Sequence, residues 1–373
     1  MKFSIEKGEF QRGLGRIQSI VEKRNTMPIL ANALLEVTGK KEGSLELAAT
    51  DLEVGIRSSH PCEVAKPGRL TVSARKLHEI VRELPEEKVY LEASSNAYLT
   101  LRCARAEFTL AGTTAEEYPS LPNFAPKSLA VVPAAVLSEM IDRTMYAAST
   151  DETRYNLNGV YVERIPETGK LRMVATDGHR LAYVDRALGD FTSLADTGVI
   201  IPRKGLAELK RLVDEEDADE IELGFEGNNG LARKGSVALT MRLIEGEFPN
   251  YRQVIPADRG QQLILPTEVF THALRRVALL SAERSRAVKL ELSEGQMRLS
   301  SNNPDLGDAR EELDIDYAGE TTSIAFNARY LIDAVSAARS KEIRFAFRDA
   351  LSPAELSPGD DGDALAVVMP MRL

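Results

Sequence analysis

LELAATD (45–51) and LRMVATD (171–177) are near copies of one another, and MRLSSNN (297–303) stands at the place of a third. Leu45, Leu171 and Met297 lie at a constant spacing of 126 residues. Each run alternates apolar and polar residues before a turn rich in Asp and Asn, the pattern of a half-buried strand entering a loop. A period this long marks an array of domains and not a solenoid.

Two further sets keep the same order. LTVSARKLHEIVREL (70–84), VIIPRKGLAELKRLV (199–213) and TSIAFNARYLIDAVS (322–336) each join a short β-rich run to an amphipathic helix, aligning Leu77, Leu206 and Leu331. The alternating runs VYLEA (89–93), IELGF (221–225) and IRFAF (343–347) follow, completing a strand–helix–strand unit. Upstream, FSIEKGEFQRGLGRI, LAVVPAAVLSEMIDR and LILPTEVFTHALRRV put a strand before a helix and align Phe10, Leu137 and Phe270. YPSLP (118–122) and FPNYRQVIP (248–256) close the first two units, which sets the expected domains at 1–127, 128–258 and 259–373. The expected class is α+β: three repeated domains, each with two helices packed on antiparallel sheet.

Composition narrows the function. At 373 residues the chain suits two or three domains. The net charge of −10 argues against a surface that grips nucleic acid through many phosphate contacts, although an acidic exterior can still carry a local basic lining. Cys62 and Cys103 have no paired spacing, so neither a metal knuckle nor a disulfide framework is expected, and a reducing cytoplasm fits. The start, MKFSIEKGEF, lacks an apolar signal region, and no stretch approaches membrane-spanning length. No cofactor or metal is expected. The four histidines, His60, His78, His179 and His272, lack zinc-binding spacing, and GLG (13–15) lacks the third glycine of a dinucleotide loop. DEEDADE (214–220) reads as a solvated loop after a helix.

MKFSIE, MPILANALLEV (27–37), RYNLNGV (154–160), ATDGHRLA (175–182), IPRKG (201–205), EGEFPNYRQVIP (245–256), FNARYL (326–331) and VVMPMRL (367–373) together make the whole chain resemble the β subunit, or sliding clamp, of bacterial DNA polymerase III. The resemblance implies a processivity factor without catalysis: three DNA-clamp domains per chain and two chains head to tail in a six-domain ring around duplex DNA. Packing agrees with that count. A domain of this size has a diameter of roughly 35 Å; six in a ring leave a hole about as wide, and three leave only about 5 Å. Implied partners are a second copy of the chain, sequence-independent duplex DNA, the polymerase III alpha subunit, the clamp loader, other polymerases and mismatch-repair proteins that present short peptide motifs. No membrane partner is expected.

The resemblance places a partner-peptide pocket between the second and third domains. Its wall would take Leu157, Thr176, Gly178, His179, Arg180, Leu181, Pro249 and Val254, with Leu351 and then Val367, Met369, Pro370, Met371 and Arg372 from the tail. Met and Leu adapt to varied apolar side chains. The residues alone, without the resemblance, favour MPMRL as the last strand of the third core. Gln253 departs from the Arg the family often carries there, and Pro353 shares the loop of Leu351.

A clamp held by topology needs only a sparse basic lining. The helices offer Arg12, Arg16, Lys23, Arg24, Arg75, Lys76, Arg82, Arg203, Lys204, Lys210, Arg211, Arg275 and Arg276, each of which could instead be an ordinary solvated position. Ile80, Leu84, Phe108 and Leu110 are expected to meet Leu279 and Leu280 across the dimer contact, or else to be core. The rival readings are an enzyme built on Asp177 and His179, and a monomeric scaffold or duplex-binding protein with no closed ring.

Overall fold

A computed structural model describes residues 1–21, 27–121, 129–188, 198–215 and 218–372. Among the described residues six α-helices fall in three pairs: α1 (Lys7–Gln18) and α2 (Ala74–Glu83), α3 (Ala134–Thr144) and α4 (Arg203–Asp214), α5 (Thr267–Ala278) and α6 (Ala328–Ala337). Each pair belongs to one repeat. In α2 the apolar Leu77 and Val81 sit four apart on the buried stripe, while Arg75, Lys76 and Arg82 occupy the exposed side. The aligned positions Phe10, Leu137 and Phe270 are buried, as are Leu77, Leu206 and Leu331, and Leu45, Leu171 and Met297. Repetition therefore reaches the core side chains.

The strands are antiparallel throughout, and the sheets cross the repeat boundaries. Val54–Lys66 of the first repeat pairs along one edge with Asn32–Thr50 and along the other with Val237–Arg242 of the second, in register Ile56↔Leu239. Arg180–Arg186 of the second repeat pairs in the same way with Leu171–Thr176 and with Ala364–Val368 of the third, in register Leu181↔Val367. The division into compact units follows these sheets. One unit holds Met1–Ala135 and Lys204–Leu243, and the other Val136–Leu188 and Ile244–Leu373, so the central repeat is shared between them.

In the second unit, Phe270, Leu290, Met297, Phe326, Leu331 and Phe345 form the main core, and Val174, Leu181, Tyr251, Leu365 and Val367 a smaller one. Tight backbone approach decides one glycine in the first unit: a Cβ on Gly43 would lie 2.1 Å from the Thr38 carbonyl oxygen. Among the described residues no helix is long and apolar enough to cross a membrane.

Candidate partner-binding and DNA-facing sites

The turn after Leu171–Thr176 is closed by Asp177. Its Oδ1 accepts the N–H groups of His179 (2.9 Å) and Arg180 (3.0 Å), and its Oδ2 accepts Arg180 Nε at 3.0 Å. Gly178 takes φ +87° at the tip. The same cap recurs in the first repeat, where Asp51 accepts from Glu53 and Val54, and in the third, where Asn303 accepts from Asp305. Asp177 thus shapes backbone and holds Arg180, and does not orient the His179 imidazole as a catalytic pair requires.

Beneath this turn lies the smaller core. Leu181 and Val367 face each other across adjacent strands and are fully buried, with Val254 packed against the cluster. They form a floor. Above it, Val254 and Met369 line one cleft of about 470 Å³, together with Gln253, Ala346 and Pro353. The last strand ends at Val368, so the tail is more than a final core strand. Met369 donates its N–H to the His179 carbonyl (2.9 Å), and Met371 donates to that of Ala325 (2.7 Å). Pro370 between them is half-buried and Arg372 is exposed.

The remaining pocket candidates divide. Thr176 Oγ1 donates to the Arg180 carbonyl at 2.7 Å, Leu157 is half-buried in a short helical turn, Pro249 is exposed, and Leu351 stands 68% exposed. His179 and Arg180 line a second cleft, of about 720 Å³. There Arg180 is held by Asp333 (Nη1 to Oδ2, 2.6 Å) and stacks over Tyr330 and Tyr146. Those partners were not legible as a set, because no spacing in the sequence ties 146, 180, 330 and 333 together. Glu355 was likewise missed: burial pushes its carboxyl above the ordinary range, with Arg259 Nε 3.2 Å away.

The basic candidates are mostly spoken for. Arg203 gives Nη1 to the carbonyl oxygens of Ala148 (2.8 Å) and Met145, and burial, with Arg180 nearby, lowers its pKa. Its guanidinium is thus held by backbone carbonyls of its own unit. Arg16 is committed likewise: its side chain is 8% exposed and forks onto Glu215 at 3.0 and 2.6 Å. Lys204 pairs with Asp51, Lys210 with Asp214, and Arg276 with Glu311. Arg75 and Lys76 both reach Glu79, at 2.8 and 2.7 Å, and hold its carboxyl down at about 2, Lys76 contributing most. Arg12, Arg82 and Arg211 sit beside Glu9, Glu83 and Glu208. Arg275 is exposed and makes no ion pair among the described residues. Lys23 and Arg24 lie outside the described residues.

Three family models match in succession: the N-terminal domain of the DNA polymerase III beta subunit over residues 1–122, the central domain over 131–250 and the C-terminal domain over 252–372. The chain belongs to the family of DNA polymerase III beta subunits, the beta sliding clamps. The beta sliding clamp of Caulobacter vibrioides is 39% identical and that of Escherichia coli K12 34%, each over the full length of both chains. Among solved structures, a Bartonella birtlesii sliding clamp bound to griselimycin superposes with a TM-score of 0.95 at 36% identity, and the Pseudomonas aeruginosa DNA polymerase III subunit beta with 0.93 at 34%, again over both whole chains. The role is accordingly that of a DNA clamp supporting processive synthesis, built from three clamp domains.

For a clamp, sheet edges matter as much as clefts. Among the described residues, Gly307–Asp314 pairs only with Gln296–Asn303, and Ala106–Thr113 pairs with Tyr98–Cys103 but meets Gly68–Ser73 only at Gly112 and Thr113. Of the dimer candidates, Phe108 and Leu110 lie on the latter strand, and Leu279, just past α5, is 78% exposed. Leu280 and Ile80 are half-buried. Leu84 is 6% exposed and packs in the core of its unit, the alternative the sequence left open for it.

Proposed function

We propose that two copies close head to tail into a six-domain ring that encircles duplex DNA. One observation carries this reading. In the first two repeats the strand after the Asx-capped turn (Val54–Lys66, Arg180–Arg186) takes as neighbour the last strand of the following repeat (Val237–Arg242, Ala364–Val368). Among the described residues, the corresponding strand of the third repeat, Gly307–Asp314, has no such neighbour, and the corresponding last strand of the first repeat, Ala106–Thr113, has a largely unpaired outer edge. Pairing these two edges between copies repeats the junction twice more and closes the array. A heterologous contact of that kind ends after two chains, and it covers edges that would otherwise template aggregation. Ile80, Phe108, Leu110, Leu279 and Leu280 would flank the seam.

The chain itself does no chemistry in this reading and works in the cytoplasm, with domain limits near 127 and 258; the first limit falls outside the described residues. Exposed cations such as Arg275 face DNA loosely, because each fixed phosphate contact adds friction and salt-dependent affinity. Polymerase III alpha, the clamp loader, other polymerases and mismatch-repair proteins dock apolar peptide motifs on the Val254–Met369 cleft and the turn at Gly178 to Arg180. The adaptable Met and the shaping Pro and Gly support that use. Loaded onto nicked circular DNA by its loader, the clamp should stay on the circle and run off once the circle is linearised. Equal retention on both forms would refute enclosure.

A further inference from the structure

The 720 Å³ cleft that holds His179 and Arg180 is lined by six arginines and four carboxylates, in a chain whose net charge is −10. Most of these charges are committed. Asp177 and Asp333 both hold Arg180, Asp151 accepts from Thr153, Arg203 is held by backbone carbonyls, and Arg154 gives Nη1 to the carbonyl of Asp177. What remains is Arg284, Arg286 and Arg329 with one carboxylate, Glu283, all exposed; of the three arginines only Arg329 has an acid in reach among the described residues, Asp333 at 3.9 Å.

Two features of the backbone fix the position of Arg286 within this group. Arg286 sits at φ +47°, a conformation that costs a non-glycine residue energy and persists only where its surroundings impose it. Its N–H donates to the Ala282 carbonyl (2.7 Å), and its carbonyl accepts the N–H of Ala328 (2.8 Å), the first residue of α6. Arg286 is therefore pinned against the start of a ten-residue helix, where the backbone dipole also favours negative charge. The cleft is tied to the apolar one by a single backbone hydrogen bond, from Met369, which lines the apolar cleft, to the carbonyl of His179, which lines this one.

We infer that Arg284, Arg286 and Arg329 form a carboxylate-reading site that selects partner peptides with an acidic residue flanking their apolar motif. The inference rests on the partner-cleft reading above and adds a specificity determinant to it. A peptide carboxylate fits better than nucleic-acid phosphate. The lining keeps Asp151, Asp177, Glu283 and Asp333 close by, which tolerates one anion placed between guanidinium groups but repels a run of phosphates.

The test uses the full-length protein and two synthetic peptides with the same Leu- and Phe-bearing core, one preceded by Glu-Glu and the other by Gln-Gln. Binding is read by fluorescence anisotropy at low and high salt. The Glu-flanked peptide should bind roughly three- to tenfold tighter at low salt, with the preference shrinking as salt rises. Arg284→Gln combined with Arg286→Asn, a residue that accepts positive φ, should erase the preference while leaving the Gln-flanked affinity and the melting temperature near wild type. Equal affinities in the wild type would overturn the inference and leave the apolar cleft standing. Binding of neither peptide would remove the cleft reading and this inference together. A preference that survives the double substitution, or a variant whose only defect is retention on nicked circular DNA, would assign the arginines elsewhere.

Discussion

Met369 donates its backbone N–H to the carbonyl of His179 over 2.9 Å. The first residue past the last strand is thereby anchored to the turn between Leu171–Thr176 and Arg180–Arg186 of the central repeat, so one hydrogen bond links the apolar cleft to the charged one.

Deleting Met369 to Leu373 removes that bond and the Met371 to Ala325 bond while leaving the Ala364–Val368 strand paired. The second unit should lose about 1–3 kcal/mol in urea unfolding. Dimerisation should survive in sedimentation, and stimulation of the polymerase should be abolished. Full stimulation by the truncated clamp would refute the tail as a docking element.

Leu279 and Leu84, both nominated for the dimer contact, should part company. Leu84→Ala empties a buried position and should cost roughly 2–4 kcal/mol. Leu279→Ala, at a side chain 78% exposed, should leave monomer stability within about 0.5 kcal/mol and shift sedimentation toward monomer. An unshifted dimer would remove Leu279 from the seam.

Arg16 and Arg275 should differ in the opposite sense. Arg16→Ala strands Glu215, itself partly exposed, and should destabilise by about 2 kcal/mol. Arg275→Ala should be neutral in stability and lower the salt dependence of loading. Stability that falls with Arg275 and not with Arg16 would reverse the assignment.

His60 predicts a pH effect. It is buried, with Nδ1 2.9 Å from Glu9 Oε1 and Nε2 2.8 Å from Ser58 Oγ. Burial lowers its pKa against the opposing pull of Glu9, aided by the charges of Arg16 and Arg12. The unfolded chain then binds the proton more readily, so stability is fully present above the ordinary histidine pKa of about 6.5 and falls as pH drops below it. Urea midpoints measured from pH 7.5 to 5 should slope downward, and His60→Gln should flatten that slope; an unchanged slope would place the titration elsewhere.

Much of the fold was legible because local patterns carried it. Alternation in 45–51, 171–177 and 297–303 fixed three strands, and the stripes through Leu77, Leu206 and Leu331 fixed three helices, since burial periodicity follows from backbone geometry alone. The candidate site was legible where a motif kept its residues adjacent, as at Asp177 to Leu181. It was not legible where pairing joined distant segments: no pattern announced that Leu181 would face Val367, or that Arg180 would lie between Asp177 and Asp333.

The sequence by itself determined three repeats, their strand and helix order, the residues that turn inward and membership in the clamp family. Tertiary structure decided which cations are committed to carboxylates or carbonyls, that Leu84 is core, and that the repeats are joined by shared sheets. The reason is range. Periodicity records which side of an element is buried, whereas ion pairs and strand neighbours depend on segments brought together only when the chain folds.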